Sequence, residues 1–186
     1  NIREAAFIFG VAHSYFPRGT IHLVVVDPGV GTGRRPIVVL GPNGLYIGPD
    51  NGVLSYVLAG SESSAEDRSS FKTVQSPLPS GWGAYRLTNV DYWLHPTSST
   101  FHGRDIFAPV AAHLSMGIAP NILGEPIEHV SAFAIPKPKL HKTGLFGCII
   151  HVDRYGNLVT NINIETALTL GANPVTEVLG HRIEGL

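Results

Sequence analysis

Ile21-His22-Leu23-Val24-Val25-Val26-Asp27-Pro28-Gly29-Val30-Gly31-Thr32-Gly33-Arg34-Arg35 decides how this chain folds. Leu23 to Val26 are bulky or β-branched, run without polar alternation, and stop at a carboxylate. Such a run predicts a strand buried on both faces, as in a mostly parallel sheet flanked by helices. In those sheets ligands bind at the carboxyl ends of strands, which is where Asp27 falls. Pro28 has no N–H for a ladder. The glycines at 29, 31 and 33 allow a tight turn and close approach to a ligand. Arg34 follows Asp27 by seven residues, so a compact loop would fold its guanidinium back onto the carboxylate. The spacing does not give G-x-x-x-x-G-K-[ST] and the loop has no lysine, which disfavours a phosphate cradle.

Around this stretch the pattern alternates between helix and strand. Residues 1–16 place Ile2, Ala5, Ala6, Phe9, Ala12 and Phe16 at helical spacing, with Asn1 as N-cap and Pro17-Arg18-Gly19 as the stop. Strands are predicted at 20–27, 37–40 and 45–48, with Gly41-Pro42-Asn43-Gly44 as a turn. A short helix is predicted at 53–58, capped by Asn51, and an exposed Ser/Glu-rich loop at 60–70. Further strand pieces fall at 71–74 and 85–87, and Ser98-Ser99-Thr100-Phe101-His102-Gly103-Arg104-Asp105 leads into an apolar helix over 106–114. The alternation argues an α/β domain over 1–133. Residues 134–144, with two prolines, read as a linker. From 145 to 186 the pattern is β-rich, with strands at 145–152 and 158–162 around the turn 153–157. A helix already under way at Asn1 and an unfinished pattern at Leu186 suggest an internal fragment of a longer protein.

Composition narrows the function. The 186 residues are 44% hydrophobic and 15% charged with a net charge of −1, which gives no electrostatic reason to expect nucleic acid or an anionic membrane as partner. No 18-residue apolar span and no signal peptide is visible. One cysteine, Cys148, excludes an internal disulfide and a cysteine-based zinc site, and points to the cytoplasm as the default compartment. The nine histidines are scattered and none forms H-E-x-x-H, so no metal site is expected. No G-x-S-x-G elbow exists and Cys148 lies inside a predicted strand, so covalent nucleophilic catalysis is unsupported. What remains is polar groups at the ends of apolar elements: Asp27, Arg34, Asp50, Asn51, His102, Arg104, Asp105, Asp153 and Asn157. Asp50 and Asn51 also suit a turn and cap, Arg104 and Asp105 a pair at a helix start, and Asp153 and Asn157 a hairpin turn.

Four motifs then occur in order: V-V-V-D-P-G-V-G-T-x-R-R, G-P-D-N-G, S-S-T-F-H-G-R-D-I-F-A-P-V-A-A-H-L and H-V-D-R-Y-G-N-L-V-T-N-I. Together they closely resemble the S-adenosylmethionine hydrolases (S-adenosyl-L-methionine hydroxide adenosyltransferases), relatives of the fluorinase and chlorinase. The resemblance implies an α/β N-terminal domain joined to a barrel-like β domain, in a homotrimer whose active sites lie between subunits. It implies hydrolysis of S-adenosyl-L-methionine to adenosine and L-methionine, with no metal or cofactor. Asp27, Arg34 and His102 match the family's catalytic triad, and Asp153, Tyr155 and Asn157 its substrate-holding turn. Pro28, Gly29, Val30 and Gly103 are further substrate-binding candidates. The family's opening strand and D-F-G-type segment would precede Asn1, and the rest of its C-terminal domain would follow Leu186. A halogenase of the same superfamily, or a non-catalytic adenosine- or S-adenosylmethionine-binding remnant, is the alternative. Halogenases replace the D-P-G-V-G segment and lack the histidine, so Asp27 and His102 favour water over halide.

Overall fold

The Gly41-Pro42-Asn43-Gly44 turn joins β2 (Pro36–Gly41) to β3 (Gly44–Pro49), and so short a connection forces the two strands antiparallel. The computed structural model describes residues 1–58, 73–171 and 174–184. The chain divides into two compact units, Asn1–Ile135 and Pro136–Leu186.

In the first unit, α1 (Ile2–Ala12) begins at the expected cap, where the Asn1 side chain accepts from Arg3 N at 3.1 Å. After it come β1 (Thr20–Leu23), β2 and β3, then β4 (Thr73–Pro77), β5 (Gly83–Leu87), α2 (Ala108–Ser115), β6 (Gly124–Pro126) and β7 (His129–Phe133). A five-stranded sheet has the order β1-β3-β2-β5-β6, and β4 pairs with β7 separately. The α/β class is as expected, but the sheet is not mostly parallel: only β1 and β3 run parallel, while β2–β3, β2–β5 and β5–β6 are antiparallel. A continuous apolar run reports burial and carries no information on strand direction.

The run that suggested two-sided burial also sits differently. β1 is an edge strand of this sheet and its ladder ends at Leu23, although Val24 N still donates to Ile47 O at 2.9 Å. Leu23 and Val25 are 43% and 40% exposed, while Val24 and Val26 pack against the core. The strands buried on both faces are β2 and β3, the latter with Tyr46 and Ile47 in opposite clusters. Ile37 and Val39 join one core cluster with Tyr46, Leu54 and Val130, against which Ile2, Ala5 and Phe9 of α1 pack. Val38 faces the other way, into a cluster with Ile47, Leu87, Ile106, Phe107, Val110 and Leu114. The period-2 alternation thus divides one apolar strand between two cores.

Residues 53–58 form consecutive turns instead of a helix, with Ser55 N on Gly52 O and Val57 N on Leu54 O. The Ser55 hydroxyl donates to Gly52 O at 2.6 Å and accepts from Phe133 N at 2.8 Å, which ties this segment to β7 and competes with helical pairing. Asn51 does cap it, accepting from Val53 N at 3.1 Å. The loop expected over 60–70 lies outside the described residues. The helix expected from Ile106 starts with a π-helical turn, Gly103–Phe107, before α2 proper.

The second unit contains hairpins β8–β9 (Lys139–His141, Gly144–Phe146), β10–β11 (Ile149–Val152, Leu158–Thr160) and β12–β13 (Val175–Val178, His181–Glu184). Part of the stretch read as a linker is therefore paired strand. Among the described residues these hairpins are separate two-stranded sheets and no closed barrel is present. The unit also holds a one-turn helix α3 (Ile164–Leu168), which Asn163 caps by accepting from Thr166 N at 2.8 Å.

Ile47 is fully buried between β1 and β2. Ile47→Ala is expected to cost about 2–5 kcal/mol, read as a lower midpoint in denaturant unfolding with an unchanged slope.

Candidate functional site

β1 and β3 run parallel and β5 runs antiparallel to β2, so the carboxyl ends of β1, β3 and β5 share one edge of the sheet. The amino end of β2 lies there too. That edge gathers the loop 24–35, the Asp50–Asn51 corner and the crossing that leads from β5 to His102. Asn51 Nδ2 donates to Val26 O at 2.9 Å and fixes the backbone one residue before Asp27. The loop then turns tightly, with Val30 N on Asp27 O at 3.2 Å and Thr32 Oγ1 on Gly29 O at 2.6 Å.

The fold-back expected of Arg34 is present. Arg34 Nε donates to Asp27 Oδ2 at 2.9 Å, and Nη2 pairs with the same oxygen. The two side chains are 8% and 6% exposed. Nη2 also donates to His102 Nδ1 at 2.7 Å. The Phe107 ring lies under the guanidinium, 5.3 Å from its carbon, and supplies a cation–π contact. Asp27, Arg34 and His102 therefore meet, although 68 residues separate Arg34 from His102. Asp27 Oδ1 is buried and accepts no hydrogen bond among the described residues. A buried carboxylate oxygen without a donor is costly, and its natural partner is a hydrogen-bond donor arriving from the site.

The arrangement sets the chemistry of the imidazole. Burial first, and then the Arg34 cation, lower the pKa of His102 below the ordinary histidine value, while the Asp27 and Asp105 charges act the other way. Because Nδ1 accepts from Arg34, the neutral ring carries its proton on Nε2. His102 thus presents a donor on its other side.

Gly29 borders the pair: a Cβ there would lie 3.8 Å from Arg34 Cγ and 3.9 Å from Asp27 Oδ1. Pro28 is exposed beside it and Val30 half-buried. Gly31 has φ +78°, and a Cβ on it would meet Ser99 O at 2.8 Å, so a glycine is required where the loop crosses residue 99. Gly103 lies against Val25, 3.4 Å from a virtual Cβ. Asp153, Tyr155 and Asn157 belong to the second unit. There Asp153 Oδ1 accepts from the N–H groups of Tyr155 (2.8 Å) and Asn157 (2.9 Å), and Oδ2 from Asn157 Nδ2 at 2.7 Å. These bonds, led by that of the Asn157 side chain, hold the Asp153 pKa below its usual range. Tyr155 is 79% exposed.

One neighbour of the triad, Phe107, was not among the sequence candidates. Phe107 follows His102 by five residues, positions that an α-helix places on different faces and an i→i+5 turn brings to one side. Arg104 and Asp105 form the pair expected at the helix start, and the Asp105 carboxylate is in addition fully buried. Asp50 and Arg35 form a structural clasp, with Arg35 Nε on Asp50 Oδ2 at 2.8 Å, Arg35 Nη2 on His129 O at 2.8 Å, and Ser131 N on Asp50 Oδ1 at 2.6 Å. Among the described residues no group of three or more His, Cys, Asp or Glu is placed to hold a metal, and no helix is long and apolar enough to cross a membrane.

A buried Asp–Arg–His cluster lies at the carboxyl ends of three strands, and comparison with known proteins places the chain in a family. Residues 1–124 match the SAM hydroxide adenosyltransferase N-terminal domain, and the chain belongs to that family. It is 36% identical over 187 residues to the (R)-S-adenosyl-L-methionine hydrolase of Thermus thermophilus, a match covering 98% of this chain and 64% of that protein. It is also 36% identical over 160 residues to the enzyme of the same name from Salinispora tropica, covering 85% of this chain and 54% of that one. The chain thus spans between about half and two thirds of the length of these relatives. A crystal structure of an uncharacterized conserved protein from Thermotoga maritima is similar at 32% identity and a TM-score of 0.81, covering 99% of this chain and 65% of that one.

Replacing Arg34 by Met removes the cation and the donor at Nδ1. Both changes favour the imidazolium, so the His102 pKa is expected to rise in an NMR titration. The variant is also expected to lose about 3–5 kcal/mol, because buried Asp27 loses its partner.

Proposed function

We propose that this chain is part of an S-adenosyl-L-methionine hydrolase that forms adenosine and L-methionine. The observation that carries this reading is the buried contact of Arg34 with both Asp27 and His102, beside an Asp27 Oδ1 that has no partner among the described residues. Membership of the SAM hydroxide adenosyltransferase family, and relatives named as hydrolases, support the substrate and reaction.

The chemistry suits such a cluster. The bond to break joins the ribose 5′-carbon to a sulfonium, which leaves as a neutral thioether and needs no general acid. The demand falls on the nucleophile, since bulk water has a pKa of about 15.7. Asp27 Oδ1 accepts a hydrogen bond from the water and points its lone pair toward the carbon. The Arg34 cation stabilises negative charge developing on that oxygen in a water-poor site. His102, neutral and protonated on Nε2, donates to the water or substrate and holds Arg34 in place through Nδ1. As the reaction proceeds, the departing proton passes to Asp27 or, once Arg34 shifts, to Nδ1 of His102. Alignment of water behind the carbon–sulfur bond contributes through proximity.

The remaining parts rest on the sequence resemblance. The Asp153 turn, with its carboxylate held ionised, suits the ammonium group of the substrate. Pro28, Gly29, Val30 and Gly103 offer backbone to the same ligand. A homotrimer would complete each site with the β-rich domain of a neighbouring subunit. The single cysteine suits a cytoplasmic enzyme.

Full-length protein incubated with S-adenosyl-L-methionine in oxygen-18 water is expected to release adenosine labelled at its 5′-oxygen, detected by mass spectrometry. Unlabelled adenosine, no adenosine, or product formation that depends on chloride or fluoride would overturn this reading. Asp27→Ala, Arg34→Ala and His102→Ala are each expected to lower kcat/KM by about 10²-fold or more.

A further inference from the structure

We propose that Asp105 is a positioning residue that holds His102 against Arg34 by clamping the loop and π-helical turn on which the histidine rides. Its role in turnover rests on the hydrolase reading above; its effect on His102 does not.

Asp105 is fully buried, and both carboxylate oxygens are used. Oδ2 accepts from Ser98 N at 2.8 Å, across the seven-residue span that contains His102. Arg104 donates from Nε to Oδ1 at 2.6 Å and from Nη2 to Oδ2 at 3.1 Å. The backbone of Asp105 closes the same segment from its other side: its N–H donates to Phe101 O at 2.9 Å and its carbonyl accepts from Leu94 N at 2.7 Å. One residue therefore anchors positions 94, 98 and 101, which leaves the intervening chain little freedom. Ser99, inside the clamped span, meets the loop of Arg34 at Gly31. Asp105 sits between His102 and Phe107, the two residues that touch Arg34 from this element.

The carboxylate is also a charge near the imidazole. The charged groups acting on His102 are Arg34 and Asp27 from the loop after β1 and Asp105 from its own turn, and Arg104 partners the Asp105 carboxylate. Arg104 and Ser98 hold the Asp105 pKa below the usual carboxylate range, so the negative charge is present at every working pH. Removing it takes away a group that favours imidazolium. The His102 pKa then falls, and any limb of activity that follows His102 moves to more acid pH. Removing Arg104 leaves the carboxylate unneutralised and moves the same limb toward higher pH. A purely structural role for Asp105 predicts no such opposition of sign.

The test compares Asp105→Asn and Arg104→Gln in the full-length protein. Asp105→Asn keeps an acceptor for Ser98 N and the side-chain volume, and Arg104 is largely exposed, so both variants retain a fold that circular dichroism can check. NMR titration of His102 is expected to show a lowered pKa in Asp105→Asn and a raised one in Arg104→Gln. Activity on S-adenosyl-L-methionine is expected to fall about tenfold in kcat for Asp105→Asn with little change in KM. A His102 titration that is unmoved in both variants, or moved in the same direction, overturns the proposal, as does a wild-type kcat in Asp105→Asn. Opposed shifts of His102 in a protein that never hydrolyses S-adenosyl-L-methionine would sustain the positioning role and reject the hydrolase reading instead.

Discussion

A guanidinium buried to the extent of Arg34 must find partners for its charge and its N–H groups. Asp27 supplies the countercharge, His102 an acceptor, and Phe107 an aromatic face. Each partner is constrained in return. Asp27 gives one oxygen to Arg34, and the other has no partner among the described residues. His102 must be neutral with Nδ1 bare, because an imidazolium would set two donors against each other. One ion pair thereby decides a tautomer, orients a carboxylate and leaves a vacant acceptor beside a cation. On the proposed reading, that combination is what activates a water as nucleophile.

The sheet makes this meeting possible. Three strands deliver their carboxyl ends to one edge, where the loop after β1, the corner after β3 and the crossing after β5 converge. Adjacent arginines diverge there, as consecutive side chains of an extended segment do. Arg34 enters the site, and Arg35 turns to Asp50, Gln75 and His129 O, linking β2 and β3 to the β4–β7 pair. The same residue type thus serves the site at one position and the scaffold at the next. Asn51, bound to Val26 O, connects the two functions by fixing the chain just ahead of Asp27.

A good part of this was legible in the residues. The α1 cap, the β2–β3 turn and the return of Arg34 to Asp27 follow from local rules, since the groups involved are close in sequence. Sheet direction was not legible, because an apolar run records burial alone, and β2 and β3, not β1, are the strands with both faces covered. The 53–58 helix failed because Ser55 is recruited by Phe133 N, 78 residues away. The Arg104–Asp105 pair was legible, but not the clamp on Ser98, because nothing in the local pattern states that the carboxylate is fully enclosed.

Sequence alone determined that Asp27 and Arg34 would share a tight glycine-bearing loop, and its motifs identified the family and named His102 as the third member. Only the tertiary structure decided what the three do to one another. The π-helical turn sets His102 and Phe107 on one side, the crossing from β5 brings them to Arg34, and burial leaves Asp27 Oδ1 without a partner among the described residues. The physical reason is that hydrogen-bond partners and dielectric surroundings depend on long-range packing, whereas turns, caps and periodicity depend on neighbours along the chain.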